Sequence, residues 1–172
     1  MGKLLRFIFF FLMCISASCI AQKPSHCNQL MQYVEEQLPH WGVLQMTSKG
    51  FIYVDVDDAY IHSLIPFIAD DGFEEPPYFG KGGVGAHITV ALPEESKKYG
   101  IENIQECGEA IAFVPKGCKI VHPPTWLEMD EVYFIDVEAP ELNRIRTQYG
   151  LPQEHYDFHI TIGVKPKAPK AA

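Results

Sequence analysis

The sequence contains two related tetrapeptides, His87-Ile88-Thr89-Val90 and His159-Ile160-Thr161-Ile162, one in each half of the chain. Each alternates polar and aliphatic residues, a pattern that predicts a β-strand with one polar and one buried face. Because side chains at positions i and i+2 of a strand point the same way, the His and the Thr of each tetrapeptide share a face. The aliphatic residues share the opposite face and are expected to pack under helices.

The residues ahead of the tetrapeptides repeat as well. Ile52-Tyr53-Val54-Asp55-Val56 lines up with Tyr133-Phe134-Ile135-Asp136-Val137, and each block is followed by an acidic residue, a helical pattern, a loop and then His-Ile-Thr. An internal duplication constrains the architecture before any single motif does. It predicts two similar lobes that face each other across an approximate two-fold axis, with both His/Thr pairs in the cleft between them.

The other predicted elements follow from hydrophobic periodicity and capping residues. We predict an irregular Gly/Pro-rich stretch over 70–86 and a flexible tail over 165–172. The predicted helices are 25–38 capped by Ser25, one from Asp57 or Asp58 through Ile65, a short one from Pro93, one near 101–107, and 140–149. The predicted strands are 51–56, 87–92, 110–114, 118–121, 132–137 and 159–164. A predicted turn at 115–117 joins the strands 110–114 and 118–121 into a hairpin.

Two His/Thr pairs in one cleft suit the chemistry of a phosphodiester. A neutral His can take a proton from the attacking hydroxyl or water while a protonated His gives one to the leaving oxygen, and both states are accessible near neutral pH. Threonine hydroxyls can donate hydrogen bonds to the phosphoryl oxygens where charge builds up. Since no acidic cluster with metal-ligand spacing accompanies the pair, we predict a site without metal or other cofactor.

The paired tetrapeptides resemble the signature of the 2H phosphoesterase superfamily, which includes RNA ligase-like and cyclic phosphodiesterase enzymes. The stretch from Tyr149-Gly150-Leu151 to Phe158-His159-Ile160-Thr161-Ile162-Gly163 is similar to its RNA-repair-like "Swiss army knife" branch. The resemblance covers 51–164. It implies a bilobal α+β fold with antiparallel sheets lining a central cleft and helices outside, and metal-independent hydrolysis of 2',3'-cyclic phosphates. It also implies that His87 and His159 are the acid–base pair and that Thr89 and Thr161 bind the phosphate.

Two alternatives to this enzyme are considered. One is a non-catalytic binding module with the same fold that holds a phosphorylated ligand or a protein partner. The other is a metal-dependent hydrolase that uses the additional histidines; His155 and His159 have the spacing of a metal pair on a helix, but their segment is predicted as a loop that enters a strand.

Other residues are weaker candidates for the site. Lys81, in Gly80-Lys81-Gly82-Gly83-Val84-Gly85, could approach a phosphate, or the loop could be only a flexible rim. Tyr156 could stack on a nucleobase or be purely structural. His122 could line the cleft or be exposed. Asp55 and Asp136 are interpreted as strand-end residues that cap the next helix.

The N-terminus has the pattern of a secretory signal peptide over 1–21: Lys3 and Arg6, an apolar run over 7–15, and then small residues. We predict cleavage after Ala21 and a single exported domain over 22–164, periplasmic or secreted, monomeric and without membrane attachment. An uncleaved anchor or lipid attachment at Cys19 are the alternatives.

Charge and cysteines limit the partners and the compartment. The formal net charge is -8, which argues against binding of long nucleic acid and favours a small nucleotide or an RNA end as substrate. In an oxidising compartment a Cys107–Cys118 bridge is possible, with Cys27 left over; three unpaired cysteines are the alternative.

Overall fold

Seven antiparallel strands form one sheet in the residues that the computed structural model describes, 26–80, 82–153 and 157–168. Outside these residues lie the predicted signal peptide, Ser25, Lys81, Tyr156 and 169–172. The strands are β1 Trp41–Met46, β2 Ile52–Asp55, β3 His87–Ala91, β4 Ala110–Ala112, β5 Val114–Val121, β6 Met129–Glu138 and β7 His159–Pro166. The helices are α1 Cys27–Gln37, α2 Ala59–His62, α3 Pro93–Lys98 and α4 Pro140–Gln148, with 3-10 turns at Ile65–Phe67 and Ala69–Asp71.

The predicted α+β fold with two-fold related lobes is confirmed, with both lobes joined in one sheet. The strand order is β4-β1-β2-β3-β7-β6-β5. The centre of the sheet therefore lies between β3 and β7, and the β2–β3 pair on one side corresponds to the β7–β6 pair on the other. The duplication seen in the sequence is thus a duplication of this strand pair.

The two ends of the sheet are consecutive in the chain. β4 pairs with β1 at one end and β5 pairs with β6 at the other, yet only Phe113 separates β4 from β5. The sheet is therefore curled, so that its first and last strands approach each other. The predicted hairpin between these two strands is wrong: the Pro115 to Gly117 segment is a bulge inside β5 rather than a turn.

Two further differences from the predicted elements have local causes. The sequence predicts no strand at β1 because Gly42 interrupts the hydrophobic pattern. A Cβ at this position would lie 2.3 Å from the carbonyl oxygen of Asp55, so the close approach of β1 and β2 requires glycine. The predicted helix near 101–107 is a loop with turns. The Gln105 amide donates to the hydroxyl of Tyr149, which in turn donates to Glu106, so α4 holds this segment outside a helix.

The cysteine pairing differs from both alternatives. Cys27 of α1 and Cys118 of β5 form a disulfide with a Cα–Cα distance of 5.8 Å, while Cys107 is free and exposed. The predicted Cys107–Cys118 bridge is therefore wrong. Its two cysteines are close in sequence, but they lie on segments that pair with opposite ends of the sheet, whereas α1 packs against β5.

One face of the sheet forms the core with the helices, and the other carries the polar residues of the strands. Alternate strand residues and the apolar sides of α1, α2 and α4 are buried together, including Leu44, Val54, Ile88, Ile135, Ile160, Leu30, Val34, Ile61, Leu142 and Ile145. β7 continues through Pro166, and the Lys167 amide donates to the carbonyl of Glu128, so the chain is ordered beyond the predicted start of the tail. No helix within the described residues has both the length and the apolar character of a membrane span.

Candidate functional site

The two tetrapeptides lie on neighbouring strands at the centre of the sheet. β3 pairs with β7 in an antiparallel register that places Ile88 opposite Ile160, and both isoleucines are fully buried. By the alternation of strand side chains, the His and Thr residues of both tetrapeptides occupy the opposite face, where they are partly exposed. The antiparallel register sets each histidine beside the threonine of the other copy. The structure thus brings together the four side chains, His87, Thr89, His159 and Thr161.

Each histidine is held by a hydrogen bond to its own backbone. Nδ1 of His87 lies 2.9 Å from the carbonyl oxygen of Gly85, and Nδ1 of His159 lies 3.0 Å from that of Asp157. A carbonyl oxygen can only accept, so Nδ1 carries the proton in both rings. Nε2 is then the nitrogen that exchanges a proton with a substrate, and it does so from an oriented ring.

The Gly-rich loop positions the first histidine. Gly85 has φ of 72°, and a Cβ there would lie 2.5 Å from Oδ1 of Asp58. The same Oδ1 accepts a hydrogen bond of 2.9 Å from the amide of Ala86. Asp58, Gly85 and Ala86 therefore fix the carbonyl that orients His87, which gives this part of the loop a defined scaffolding role.

The environment of His87 is aromatic. Its ring lies 5.6 Å from Phe51, 6.0 Å from Tyr53 and 5.2 Å from Tyr78, in each case edge to face. Burial lowers the pKa of His87, and the nearby His159 lowers it further, while the Gly85 carbonyl and Asp55 act in the opposite direction. The neutral imidazole is therefore favoured at this position.

Each histidine also has a carboxylate directly across the strand pair. Asp55 is opposite His87 and Asp136 is opposite His159. Asp136 forms an ion pair of 2.6 Å with Lys119, and the hydrogen bond between them raises the pKa of Lys119. The pKa of Asp55 is raised by burial and by the second carboxylate of Asp58. The two aspartates thus face the site rather than cap helices, and only Asp136 has a lysine at this distance among the described residues.

Sequence reasoning assigned Asp55 and Asp136 to helix capping, and it missed Tyr78 beside His87. Asp55 and Asp136 carried a signal, since they recur in the duplication at positions that alternate towards the same face as the histidines. Tyr78 and Trp126 carried none, because they lie in unrelated loops and meet only in the folded chain, with rings 6.4 Å apart. His122, a weaker candidate, is exposed and paired through Nδ1 with the carbonyl of Asp130.

Among the described residues, no three or more His, Cys, Asp or Glu side chains are grouped so that they could hold a metal ion. In each of the two cross-strand His/Asp pairs, Nδ1 of the histidine is already bonded to a backbone carbonyl.

A family model described as "Swiss Army Knife, 2H phosphoesterase domain" matches residues 52–169, more than half of the chain. The match spans both tetrapeptides and both copies of the repeat, and it confirms the resemblance drawn from the tetrapeptides. Neither a curated protein nor a solved structure matches the chain.

Proposed function

Because this chain belongs to the 2H phosphoesterase superfamily, we propose that it hydrolyses the 2',3'-cyclic phosphate of a nucleotide or of an RNA end. The family itself indicates a hydrolase that acts on phosphodiesters. The observation that carries the narrower proposal is the pair of oriented histidines on neighbouring strands, each beside the threonine of the other copy. Two proton-transfer groups around one phosphoryl group are what this reaction requires.

The proposed reaction is a displacement at phosphorus with two proton transfers. One histidine takes a proton from water at Nε2 as the water oxygen bonds to phosphorus. The second histidine delivers its Nε2 proton to the leaving ribose oxygen as the P–O bond breaks, so that a phosphomonoester and a free hydroxyl result. Thr89 and Thr161 donate hydrogen bonds to the non-bridging oxygens as negative charge accumulates there.

The surroundings of the His87 and His159 rings support different proton-transfer roles for the two histidines. His87 is the proposed base, since the aromatic rings around it favour its neutral form. His159 is the proposed acid, on the side of the site that carries the Lys119–Asp136 ion pair. In such coupled pairs the role of each group follows from its environment, while the profile of activity against pH reports the pair.

The substrate class is proposed from charge and shape. A formal net charge of -8 disfavours a long polyanion and leaves a small nucleotide or a chain end. Phe51 and Tyr53 stack on each other at 5.1 Å beside His87, and partly exposed rings of this kind offer a nucleobase a surface on which to stack. Lys81 and Tyr156 are further proposed substrate contacts.

Export is proposed with the function. The Cys27–Cys118 disulfide is consistent with an oxidising compartment, and the predicted signal peptide would direct the chain there. N-terminal sequencing of the protein recovered from the periplasm or medium of an expression host is expected to begin at Gln22. Retention in the cytoplasm with Met1 intact would contradict this proposal.

The first experiment is phosphorus NMR of the mature chain with 2',3'-cyclic nucleotides and excess chelator. The expected result is a growing monoester signal whose position identifies the ester bond that breaks. The signal should be abolished in the His87→Ala/His159→Ala double variant and unchanged in His122→Ala, an exposed histidine.

The other outcomes decide between the alternatives. Activity that disappears with chelator would indicate the metal-dependent hydrolase. A folded protein that binds the cyclic nucleotide in calorimetry and releases no product would indicate the binding module. Turnover that survives in either single histidine variant would exclude the two-histidine mechanism.

A further inference from the structure

Two aromatic pairs lie on either side of the four His and Thr side chains. Phe51 and Tyr53 stand on the β2 side, since Tyr53 is paired across the strands with Thr89. Tyr78 and Trp126 form the other pair, on the side of β7 and β6. In the strand order, β3 and β7 lie between β2 and β6. A phosphoryl group held by the His and Thr side chains therefore has aromatic rings on both sides.

Contacts with β6 and β7 place the second pair on its side of the sheet. The segment before Tyr78 pairs with β7, because the amide of Glu74 donates to the carbonyl of Val164 at 2.8 Å and accepts the return bond at its own carbonyl at 2.9 Å. Trp126 packs on a small buried cluster of β6 and β7 that includes Phe134, the aromatic neighbour of the second histidine. Both rings thus come from loops that are attached to the second half of the molecule.

The loop of Trp126 is held by the residue that follows β7. Lys167 donates from its amide to the carbonyl of Glu128 at 3.0 Å and from Nζ to the carbonyl of Leu127 at 2.9 Å. A turn closes the loop, since the amide of Met129 donates to the carbonyl of Trp126. These bonds give the indole a defined position beside the site.

The rings of the Tyr78/Trp126 pair leave their faces accessible. Their centroids are 6.4 Å apart with 24° between the planes, whereas atoms of rings in full face contact lie about 3.5–4 Å apart. Neither ring therefore covers the face of the other, and both side chains are partly exposed. Tyr78 also meets the ring of His87 at 5.2 Å, so these faces adjoin the proposed base. Nucleobases stack on aromatic side chains placed in this way.

Building on the proposed function, we infer that Tyr78 and Trp126 bind a second nucleobase, so that the site also accepts a linear dinucleoside phosphodiester. The nucleoside that bears the 3'-phosphate stacks on Phe51 and Tyr53, as a cyclic nucleotide does. The leaving nucleoside stacks on the Tyr78/Trp126 pair, on the side of His159, the proposed acid. Such a substrate carries a single phosphate charge, which suits a protein with a formal net charge of -8.

The reaction follows the same two proton transfers. Water bonds to phosphorus as His87 takes its proton, the bond from phosphorus to the O5' oxygen of the leaving nucleoside breaks, and His159 delivers a proton to that oxygen. A nucleoside 3'-monophosphate and a free nucleoside result. A cyclic mononucleotide has one base, so it leaves the Tyr78/Trp126 pair empty.

The test compares adenosine release from adenylyl-(3',5')-adenosine with hydrolysis of adenosine 2',3'-cyclic phosphate. Trp126→Leu removes the ring and keeps an apolar side chain on the cluster of β6 and β7. It is expected to lower kcat/KM for the dinucleoside by about tenfold, the effect of one base stacked on an aromatic ring, and to leave kcat/KM for the cyclic nucleotide unchanged. Trp41→Leu is the control, since Trp41 is 54% exposed on β1, and it should change neither value.

Fluorescence provides a measurement that does not depend on turnover. The chain has two tryptophans, so Trp126 is the only indole in a Trp41→Phe variant. Adenylyl-adenosine should quench its emission at concentrations where adenosine 2',3'-cyclic phosphate and inorganic phosphate leave it unchanged.

Three results would overturn the inference: an equal loss with both substrates in a Trp126→Leu protein whose circular dichroism matches the wild type, no loss with either, or indole emission that the dinucleoside leaves unchanged. A wild-type protein that hydrolyses the cyclic nucleotide and not the dinucleoside would also overturn it and leave the proposed function intact. Quenching by the dinucleoside alone, in a protein that hydrolyses neither substrate, would refute the proposed function and support the second base site.

Discussion

The two halves of the site share their backbone geometry and differ in what surrounds their histidines. In both, an aspartate stands opposite the histidine across the strand pair, and the imidazole is bonded to the carbonyl two residues before it. Yet three aromatic rings surround His87, whereas the side of His159 carries an ion pair between Lys119 and Asp136. The duplication thus reproduces the positions of the groups, and the two halves differ in the aromatic and charged side chains around them.

The largest change in activity is expected from loss of either histidine, and a change of leaving group distinguishes the roles of the two. With a cyclic nucleotide, His87→Ala and His159→Ala are each expected to lower kcat/KM by about 10²- to 10⁴-fold. With a p-nitrophenyl phosphodiester, whose phenolate leaves without a proton, the defect of the acid variant should shrink to about tenfold or less. The defect of the base variant should remain, because water must still be deprotonated.

Steady-state kinetics of both variants on both substrates provides the measurement. The expected pattern is rescue of His159→Ala alone. Rescue of His87→Ala alone would make His87 the acid and His159 the base. Equal rescue of both variants would show that the surroundings do not assign the two roles.

The next effect is a loss of stability when Arg146, which contacts both halves on the buried side of the sheet, is replaced. Arg146 of α4 is 1% exposed; it donates to the carbonyl of Val90 in β3 and to that of Pro152, and it forms an ion pair of 3.2 Å with Glu95. Arg146→Met leaves the buried Val90 carbonyl without this donor and removes the bonds to Pro152 and Glu95, and it is expected to lower the free energy of unfolding by about 3–5 kcal/mol.

Urea denaturation followed by circular dichroism measures this loss. Arg144→Met is the matched control, since Arg144 lies on the same helix with its side chain half exposed and pairs with Glu141 on the surface. Because Arg144 also lies 3.6 Å from the buried carboxylate of Glu106, this substitution should lower the midpoint slightly, and by much less than Arg146→Met. An equal effect of the two substitutions would show that Arg146 does not join the halves.

The disulfide attaches α1 to β5 beside Lys119, at the end of the sheet that follows β7 and β6. Cys27 and Cys118 are separated by 91 residues, and removal of a native disulfide typically costs about 2–5 kcal/mol of stability. Cys27→Ser/Cys118→Ser is expected to lose stability in that range in thermal unfolding. Cys107→Ser, at the free and exposed cysteine, should lose almost none; comparable losses from both would contradict the observed pairing.

The parts of this molecule that could be predicted from sequence are those that the duplication and strand alternation specify. The alternation in His87 to Val90 and in His159 to Ile162 predicted two strands with functional faces, and the family resemblance drawn from them is confirmed. The register that sets Asp55 beside His87 needed pairing information that alternation does not contain.

What could not be predicted depends on contacts between distant segments. The Pro115 to Gly117 sequence has the composition of a turn, but the pairing of β5 along β6 turns it into a bulge. The disulfide depends on a contact of the same kind, because it joins this extended β5 to α1. Tyr78 and Trp126 likewise meet only because the sheet brings their loops together.

The smallest of these effects is a change in the pKa of His87 when its ring becomes more exposed to solvent. Phe51→Leu removes a ring that lies 5.6 Å from His87. Since burial is the largest cause of the lowered pKa of His87, the pKa should rise towards its ordinary value near 6.5. Protonation then inactivates the base at a higher pH, so the acid limb of the kcat/KM profile moves upward by the same amount.

Proton NMR titration of His87 measures the shift directly, and the pH profile measures its consequence. Phe134→Leu makes the same substitution beside the other histidine, where the ring lies 4.7 Å from His159, and it should leave the acid limb in place. A limb that moves with Phe134→Leu and not with Phe51→Leu would assign the base to His159. In that case the aromatic environment of His87 would serve the substrate rather than the proton transfer, and the asymmetry between the halves would be one of binding.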